Sequence, residues 1–443
     1  MTDTMTAPHK EFRDPIHGFI PVYDEELQII QDPVFQRLRR IKQLSFSYFV
    51  YHGAEHSRFG HVLGAMHVVD RALRKIQRNA SRLDIRLPIQ EADIRLARFA
   101  ALLHDVGHKP FSHALDRSFP EQHEGYSAAF VMKRFSDTID ASHIDPQQVA
   151  NLIQGKPDPE KPFLTSLISG QLDVDKFDYL LRDSHYAGVK YGLFDLDRLL
   201  DSLLVKDGRM VVLDGGFFAA EQLISARYHM FGQVYLHKTK RAFEGMATKV
   251  AEDLVSEDKL CYPAIAEFDD PATFDDFATY DDAWFLSKIK TADKPVLKNI
   301  ARHIEGRIPY KEVSNSETIR RKMNTGGIEN EEEGVGYHNA VESNVRANLS
   351  DIGIDPDEII FDRSTSLPYK LRPYSNILGD QADEYADTVL VYDPKTDMAE
   401  PIEKKSRIVR AIARNFSIHR IFVTAEKRQN LEDYLRKNFE YFR

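Results

Sequence analysis

The chain has 443 residues, a formal net charge of −10 and 42% hydrophobic side chains, enough apolar material to bury two or three packed units without covalent staples. Its single cysteine, Cys261, excludes an intramolecular disulfide and a cysteine-cluster metal site, so a cytoplasmic setting is expected and any metal must rest on nitrogen and oxygen ligands. The acidic balance argues against extended nucleic acid as a partner, and no stretch approaches the roughly eighteen apolar residues of a membrane span.

The opening MTDTMTAPHKEF has neither the basic nor the apolar region of a targeting segment, so none is expected. DPIHGFIPV, with an early proline and a glycine, is read as non-helical. From about Glu25 to Val250 apolar residues recur mostly at helical spacing, as in DIRLARFAALLHDV and DLDRLLDSLLV. KPDPEKP at 156–162 reads as a loop and RMVVLDGGF as a short β signal. The acidic, aromatic stretch from about Pro263 to Asp293 predicts a helix–loop–helix capped by aspartates. TGGIENEEEGVG at 325–336 has no packing pattern and reads as a loop. Strands are expected in EIIFD, ADTVLVYD and RIFVTAE, with a basic amphipathic helix at KKSRIVRAIARNF and a terminal helix. The expected fold is mainly α: a helical core over 1–255, a helical extension with an acidic loop over 256–345, and a small C-terminal α+β unit over 346–443.

ALLHDVGHKPFSH places His104 and Asp105 at the end of an apolar helical run that Gly107 and Pro110 then break. Adjacent His and Asp side chains at a helix end can reach one metal together, because the backbone there leaves the regular helical step. Upstream, EHSRFGHVLGAMHV sets Arg58 and His61 three apart on one helix face; downstream, GQLDVDKFDYLLRDS sets Asp175, Asp178, Tyr179 and Arg182 on another. Each has a bland alternative when taken singly: a helix end, a satisfied core histidine, a buried Asp178–Arg182 ion pair. Together His61, His104, Asp105 and Asp175 supply two imidazoles and two carboxylates, suited to one divalent Mn, Mg, Fe, Ni or Zn ion.

The order His61, His104–Asp105, Asp175 resembles the signature of HD-domain phosphohydrolases. DPIHGFI, FQRLRRIKQL, HSRFGH, HDVGHKPFSH, His123–Glu124, DVDKFDYLLRDSHYAG and VYLHK are similar to its deoxynucleoside-triphosphate triphosphohydrolase branch, over most of residues 10–245. The resemblance implies an HD-domain fold and cleavage of a dNTP to deoxynucleoside and inorganic triphosphate by a metal-linked water at the α-phosphate. It carries phosphate and sugar binding onto Arg58, Lys176, Tyr179, Arg227 and Tyr235, and sugar reading onto Gln43 and Leu44, with Asp183 and His185 near the same sugar. It assigns acid/base work to His113 and His123, with His108 and Glu124 in support, and Asp116, three residues after His113, is placed to orient it. It implies a nucleotide-activator site at Lys10, Gln36, Arg39, Arg307 and Lys311, and a homo-oligomer, a tetramer or a dimer. Two departures stand out: Phe231 replaces a histidine, with His229 nearby, and Gln31 stands where an acidic guanine reader is expected. The alternatives are another HD activity, a nucleotide phosphodiesterase or 5′-nucleotidase, and a nucleotide-sensing protein without turnover.

Overall fold

The computed structural model describes residues 8–116, 118–119, 121–323, 331–366, 388–412 and 416–443. The helix Arg58–Arg82, 25 residues long and hence about 37 Å, is the axis of the main apolar core. Its first half, RFGHVLGAMHVV, has too few polar positions for a solvent face, and helices Glu91–Leu103 and Val174–Ala187 pack on it. The approach is close because residue 64 is glycine: a Cβ there would lie 1.8 Å from Asp178 Oδ1 and 2.5 Å from the Arg182 guanidinium. Glu91–Leu103 begins where the Asp93 carboxylate accepts the Gln90 N–H at 2.7 Å, and its C-cap is His104. Val174–Ala187 is capped by Asp173 at one end and by Gly188 in the left-handed region at the other.

Lys10–Asp14 (β1) and Gly18–Val22 (β2) form an antiparallel hairpin over this core. Asp14 Oδ1 accepts the N–H groups of Ile16 and His17 in the turn, which turns the His17 ring toward the Val174–Ala187 helix. A second core lies between helix Lys238–Ser256, helix Pro295–Glu305 and the side chains of Phe46 and Phe111. The expected aspartate-capped pair is present as helices Pro271–Phe277 and Asp282–Ile289, with Asp270 and Asp281 accepting the N-terminal N–H groups.

The C-terminal strands do not share one sheet. Leu203–Lys206 (β3) and Arg209–Leu213 (β4) form the anticipated β element; Leu390–Asp393 (β7) joins β4 in parallel and Met398–Pro401 (β8) joins β7. Lys311–Asn315 (β5), Phe416–Val423 (β9) and Ile359–Ser366 (β6) make a separate antiparallel sheet in that order. Two local expectations need correction. Residues 331–336 belong to helix Glu331–Ala347, because Gly334, His338, Val341 and Val345 form a buried stripe on it; the rest of the expected loop, 325–330, lies outside the described residues. The basic amphipathic helix is two short pieces, Ile402–Lys405 and Arg407–Ile412, interrupted at Ser406, with 413–415 outside the described residues.

Candidate active site

His61 leaves its helix toward Asp175 and donates from Nδ1 to Asp178 Oδ2 at 2.7 Å. His104 Nδ1 lies 2.8 Å from the Ala101 carbonyl, which can only accept. Both Nδ1 atoms therefore carry the proton, and both Nε2 lone pairs face one another's neighbourhood, the arrangement that orients metal-binding imidazoles. His61 Nε2 stands 2.9 Å from Asp175 Oδ1 and 3.7 Å from Asp105 Oδ2; His104 Nε2 stands 3.4 Å from Asp105 Oδ1 and 3.6 Å from Asp175 Oδ1. Neither Nε2 makes a hydrogen bond of good geometry. Two buried lone pairs left open between two carboxylates fit a cation better than they fit each other.

Electrostatics agree. Burial pushes the His61 pKa down, but Asp175 and Asp178 outweigh it and raise it to about 10. His104 is also raised, burial being outweighed by Asp105 and Asp175. The carboxylates thus demand positive charge at this point, which protons or a divalent ion would satisfy. Asp178 is buried and holds the rear of the site: besides His61 it accepts His17 Nε2 at 2.7 Å and both Arg182 Nε and Nη2 at 2.8 Å, while Arg182 Nη1 reaches Asp14 at 2.8 Å. The bland alternative for Asp178 and Arg182, a buried ion pair, is present, and the same pair anchors His61.

On the other side of Asp105 the rings of His108 and His123 stack with centroids 3.9 Å apart. Asp105 Oδ1 lies 3.2 Å from His108 Nε2 and 3.9 Å from His123 Nε2. A metal group of Asp105, His108 and His123 is geometrically available, but the Arg58 guanidinium is hydrogen-bonded to Asp105 Oδ2 and its charge opposes a second cation there. Burial raises the Asp105 carboxyl, but Arg58, His104 and His108 outweigh it and hold it well below the usual range. Burial takes His123 down to about 3, so it is neutral. His113 is exposed at the cavity, its Nδ1 donating to Asp116 Oδ2 at 2.9 Å. Behind Asp116 lies Lys109, 1% exposed, its ammonium 3.6 Å from Asp116 Oδ1 and donating to the Phe119 carbonyl at 3.1 Å. Gly107 lets this loop touch the helix His123–Lys133: a Cβ would lie 2.4 Å from the His123 carbonyl oxygen.

These groups open on one cavity of about 620 Å³, within the roughly 300–1,000 Å³ of small-molecule sites. Gln43, Leu44, Arg58, His104, Asp105, His108, His113, His123, Glu124, Asp175, Lys176, Tyr179, Asp183, Arg227 and Tyr235 all line it. Tyr235 donates to Asp183 Oδ2 at 2.8 Å, and His56 Nε2 holds the other oxygen at 2.8 Å. The helix Phe217–Met230 runs into a π-helical segment, Phe231–Tyr235, a deviation common at functional sites. Phe231 lines the cavity, whereas His229 is exposed beside Tyr228 and does not replace the missing histidine.

His185 is a correction. It is exposed and outside the cavity, because two helical steps from Asp183 carry it to the opposite face of Val174–Ala187. The activator set is not assembled within one chain. Arg39 donates to Gln36 Oε1 at 2.8 Å and lines a separate cavity of about 470 Å³ with Arg13, His56 and Arg182. Lys10, Arg307 and Lys311 do not line that cavity; Arg307 donates to the Phe49 carbonyl and Lys311 lies in β5. Sequence reasoning missed Lys240, Arg241 and Glu244, which line the active cavity from helix Lys238–Ser256; only their i, i+4 charge pattern signals them. It also gave no role to His17 and His56, although the strings DPIHGFI and HSRFGH contain them.

Residues 58–183 match the model of the HD domain and residues 194–368 that of the HD associated region. The chain belongs to the HD-domain phosphohydrolases. An uncharacterized protein, YwfO, from Bacillus subtilis is 38% identical to this HD protein over 248 residues, 55% of each chain. The deoxynucleoside triphosphate triphosphohydrolase SAMHD1 homolog of Dictyostelium discoideum is 31% identical over 319 residues, 68% of this chain and 59% of that protein. This HD chain thus spans a little over half the length of these curated relatives. Its fold is shared with a crystal structure of a phosphohydrolase from Bacteroides thetaiotaomicron, 24% identical at a TM-score of 0.71, covering 94% of this chain and 99% of that one. A hypothetical protein from Aquifex aeolicus aligns with the same TM-score, 0.71, at 25% identity, covering 95% and 99%. Among the described residues, no helix of the HD protein is long and apolar enough to cross a membrane. Its His61, His104 and Asp105 bring donor atoms within 4.8 Å of one another, a group able to hold a metal ion.

Proposed function

We propose that the protein hydrolyses deoxynucleoside triphosphates to deoxynucleoside and inorganic triphosphate. The observation that supports this reading best is the set of buried polar atoms without hydrogen-bond partners at the cavity: His104 Nε2, Arg227 Nε and Gln43 Oε1 in its wall, and His61 Nε2 behind Asp175. Such atoms are costly unless a ligand completes them. Open imidazole lone pairs suit a divalent ion, a guanidinium N–H suits a phosphate oxygen, and an amide oxygen suits a sugar hydroxyl. A dNTP together with one divalent ion offers all of these partners.

In this reading His61, His104, Asp105 and Asp175 hold the ion, which when bound supplies Lewis acidity to a phosphoryl oxygen and lowers the pKa of a water. Arg58, Lys176 and Arg227 hold the phosphates, joined by Lys240 and Arg241. Tyr179, Tyr235 and Asp183 form the wall at the sugar and phosphates. Leu44 packs under the ribose where a 2′-hydroxyl would stand. His113, backed by Asp116, gives a proton to the departing oxygen. His123, kept neutral by burial, accepts one, with His108 and Glu124 beside it. Gln36 and Arg39 with Lys10 form half of an activator site, which the partner subunit's Arg307 and the partner subunit's Lys311 complete in a homo-oligomer.

The test is incubation of the Mn²⁺- or Mg²⁺-loaded protein with each dNTP and with GTP, singly and in mixtures, with products separated by ion exchange. Inorganic triphosphate with deoxynucleoside is expected, and a requirement for a second nucleotide marks the activator site. Monophosphate or diphosphate products, or no turnover in any mixture, would overturn the reading in favour of another HD activity or of sensing.

A further inference from the structure

Two neighbouring stretches of backbone line the cavity. One is 42–44, bearing Gln43 and Leu44; the other is 108–113, bearing His108 and His113. The first has a single antiparallel bridge, Lys42 to Ser57, and the second is irregular up to the short 3-10 helix Ser112–Leu115. The first is pinned to the start of helix Arg58–Arg82 by Gln43 N–H to the His56 carbonyl and Arg58 N–H to the Ile41 carbonyl, both 3.0 Å. The second contains Phe111 at φ +52° and Ser112 at φ +55°, consecutive non-glycine residues in the left-handed region. That conformation persists only where its surroundings impose it.

What imposes it comes from helix Asp282–Ile289, which lies within the HD associated region. Asp281 serves that helix as its N-cap and pairs with Arg40. Asp282, 6% exposed, serves the cavity instead. Its Oδ1 accepts the Phe111 N–H at 2.7 Å and its Oδ2 accepts the Lys42 N–H at 2.9 Å. Ser112 completes the link, donating from its hydroxyl to the Lys42 carbonyl at 3.1 Å and accepting from Arg58 Nε at 2.9 Å. Phe111 stacks on Phe46, ring centroids 4.2 Å apart.

We propose that Asp282 is a positioning residue of the active cavity: one buried carboxylate, supplied from outside the HD domain, fixes 42–44 against 108–113. Its two charge-assisted bonds hold the sugar wall and the histidine wall at a set separation. The HD associated region thereby acts on specificity and on proton transfer together. The role rests on the proposed reaction only for its consequence in turnover; the mechanical link is independent of the substrate.

The arrangement carries a pH dependence. The groups facing Asp282 are Lys42 on the first stretch, Tyr48 just beyond it, Asp281 at the cap of its own helix with Arg40 paired to it, and Arg58 through Ser112. Burial dominates and lifts the carboxyl to about 6, against the two backbone N–H groups and Lys42, which lower it. The carboxyl takes up a proton more readily in this closed arrangement than in an opened, solvated one, so acidification through that range favours the joined walls and rising pH through about 6 weakens the link.

The test is hydrogen–deuterium exchange, read by mass spectrometry, on the full-length metal-loaded wild type and on Asp282→Asn. The amide keeps the volume, removes a buried charge, and turns an N–H toward one of the two backbone N–H groups. Peptides spanning 42–48 and 108–116 are expected to exchange about ten-fold faster in the variant. Turnover should fall roughly 10- to 100-fold in kcat/KM, as for a misplaced reacting group, with KM and kcat both moved and the acid limb of the rate profile displaced. In the wild type, protection of the same two peptides should rise together as pH falls from about 7 to about 5. Unchanged protection in a folded Asp282→Asn protein would overturn the proposal. Should that variant fail to fold, wild-type protection that stays constant across that pH interval would overturn it instead. Loss of protection without any dNTP turnover by the wild type would remove the proposed reaction and leave the role of Asp282 standing.

Discussion

Replacing Asp178 by asparagine tests whether the buried network behind His61 builds the metal site. The carboxylate accepts four hydrogen bonds, from His61, His17 and twice from Arg182. An amide offers one oxygen and places its N–H groups against donors, so His61 loses the acceptor that fixes its tautomer. Loss of such an orienting partner costs about 10- to 100-fold in metal affinity, or about 1.4–2.7 kcal/mol. Arg182 becomes under-paired, and breaking a buried pair costs roughly 3–5 kcal/mol; because Arg182 keeps Asp14 at 2.8 Å, the lower end, about 3 kcal/mol, is expected. The sign with pH follows from the partners. Burial alone would raise the Asp178 carboxyl, but Arg182, His17 and His61 hold it well below its ordinary 3.8. Its stabilisation is therefore complete above that value and fades as pH falls through the lowered one, so the difference between variant and wild type narrows in acid. Metal titration calorimetry on chelator-stripped protein and urea unfolding at neutral pH measure the two effects. Wild-type metal affinity together with an unchanged unfolding midpoint in Asp178→Asn would refute the reasoning.

Gly64→Ala should destabilise by about 1–3 kcal/mol, because the new methyl meets Asp178 and Arg182, and thermal unfolding reads it; an unshifted Tm would show that the two helices have room. In metal-free protein the raised His61 contributes stability fully below 6.5, its unshifted value, and loses it as pH rises toward about 10. The Tm of the chelated form should fall across that interval by more than that of the loaded form, and parallel curves would contradict the charge balance described for the site. Lys109→Met removes the cation behind Asp116 while filling most of the space, so kcat should fall with KM little changed and the pH–rate profile should move; an unaltered profile would place Lys109 in packing alone.

Much of the metal site was legible because its residues sit on strong helical patterns. Arg58 and His61 share a face three apart, and His104 and Asp105 fall where glycine and proline stop a helix. Local periodicity carries no information about partners supplied from far along the chain. His17 reaches Asp178 across 161 positions, and Asp282 reaches Phe111 across 171; the string DPIHGFI contains His17 without indicating its partner, and Asp282 lies in no quoted motif. The same reason hides the pairing of β7 with β4, a long-range parallel contact that no turn announces. His185 was misplaced because a match of residue strings ignores the helical step that separates it from Asp183. Residues 331–336 read as a loop from composition, yet Gly334 is small enough to sit against the helix Ser316–Lys322, where a Cβ would lie 2.8 Å from the Arg320 Cβ. Small residues mark close approach as often as turns.

The most direct test of the account is hydrolysis of a dNTP by the metal-loaded protein in water enriched in heavy oxygen, with Asp175→Ala as control and products weighed by mass spectrometry. The account predicts deoxynucleoside and inorganic triphosphate, and attack at the α-phosphate puts the label in the triphosphate. The control should be folded, metal-free and inactive. Label in the deoxynucleoside, cleavage to monophosphate and pyrophosphate, or full activity in Asp175→Ala would contradict it.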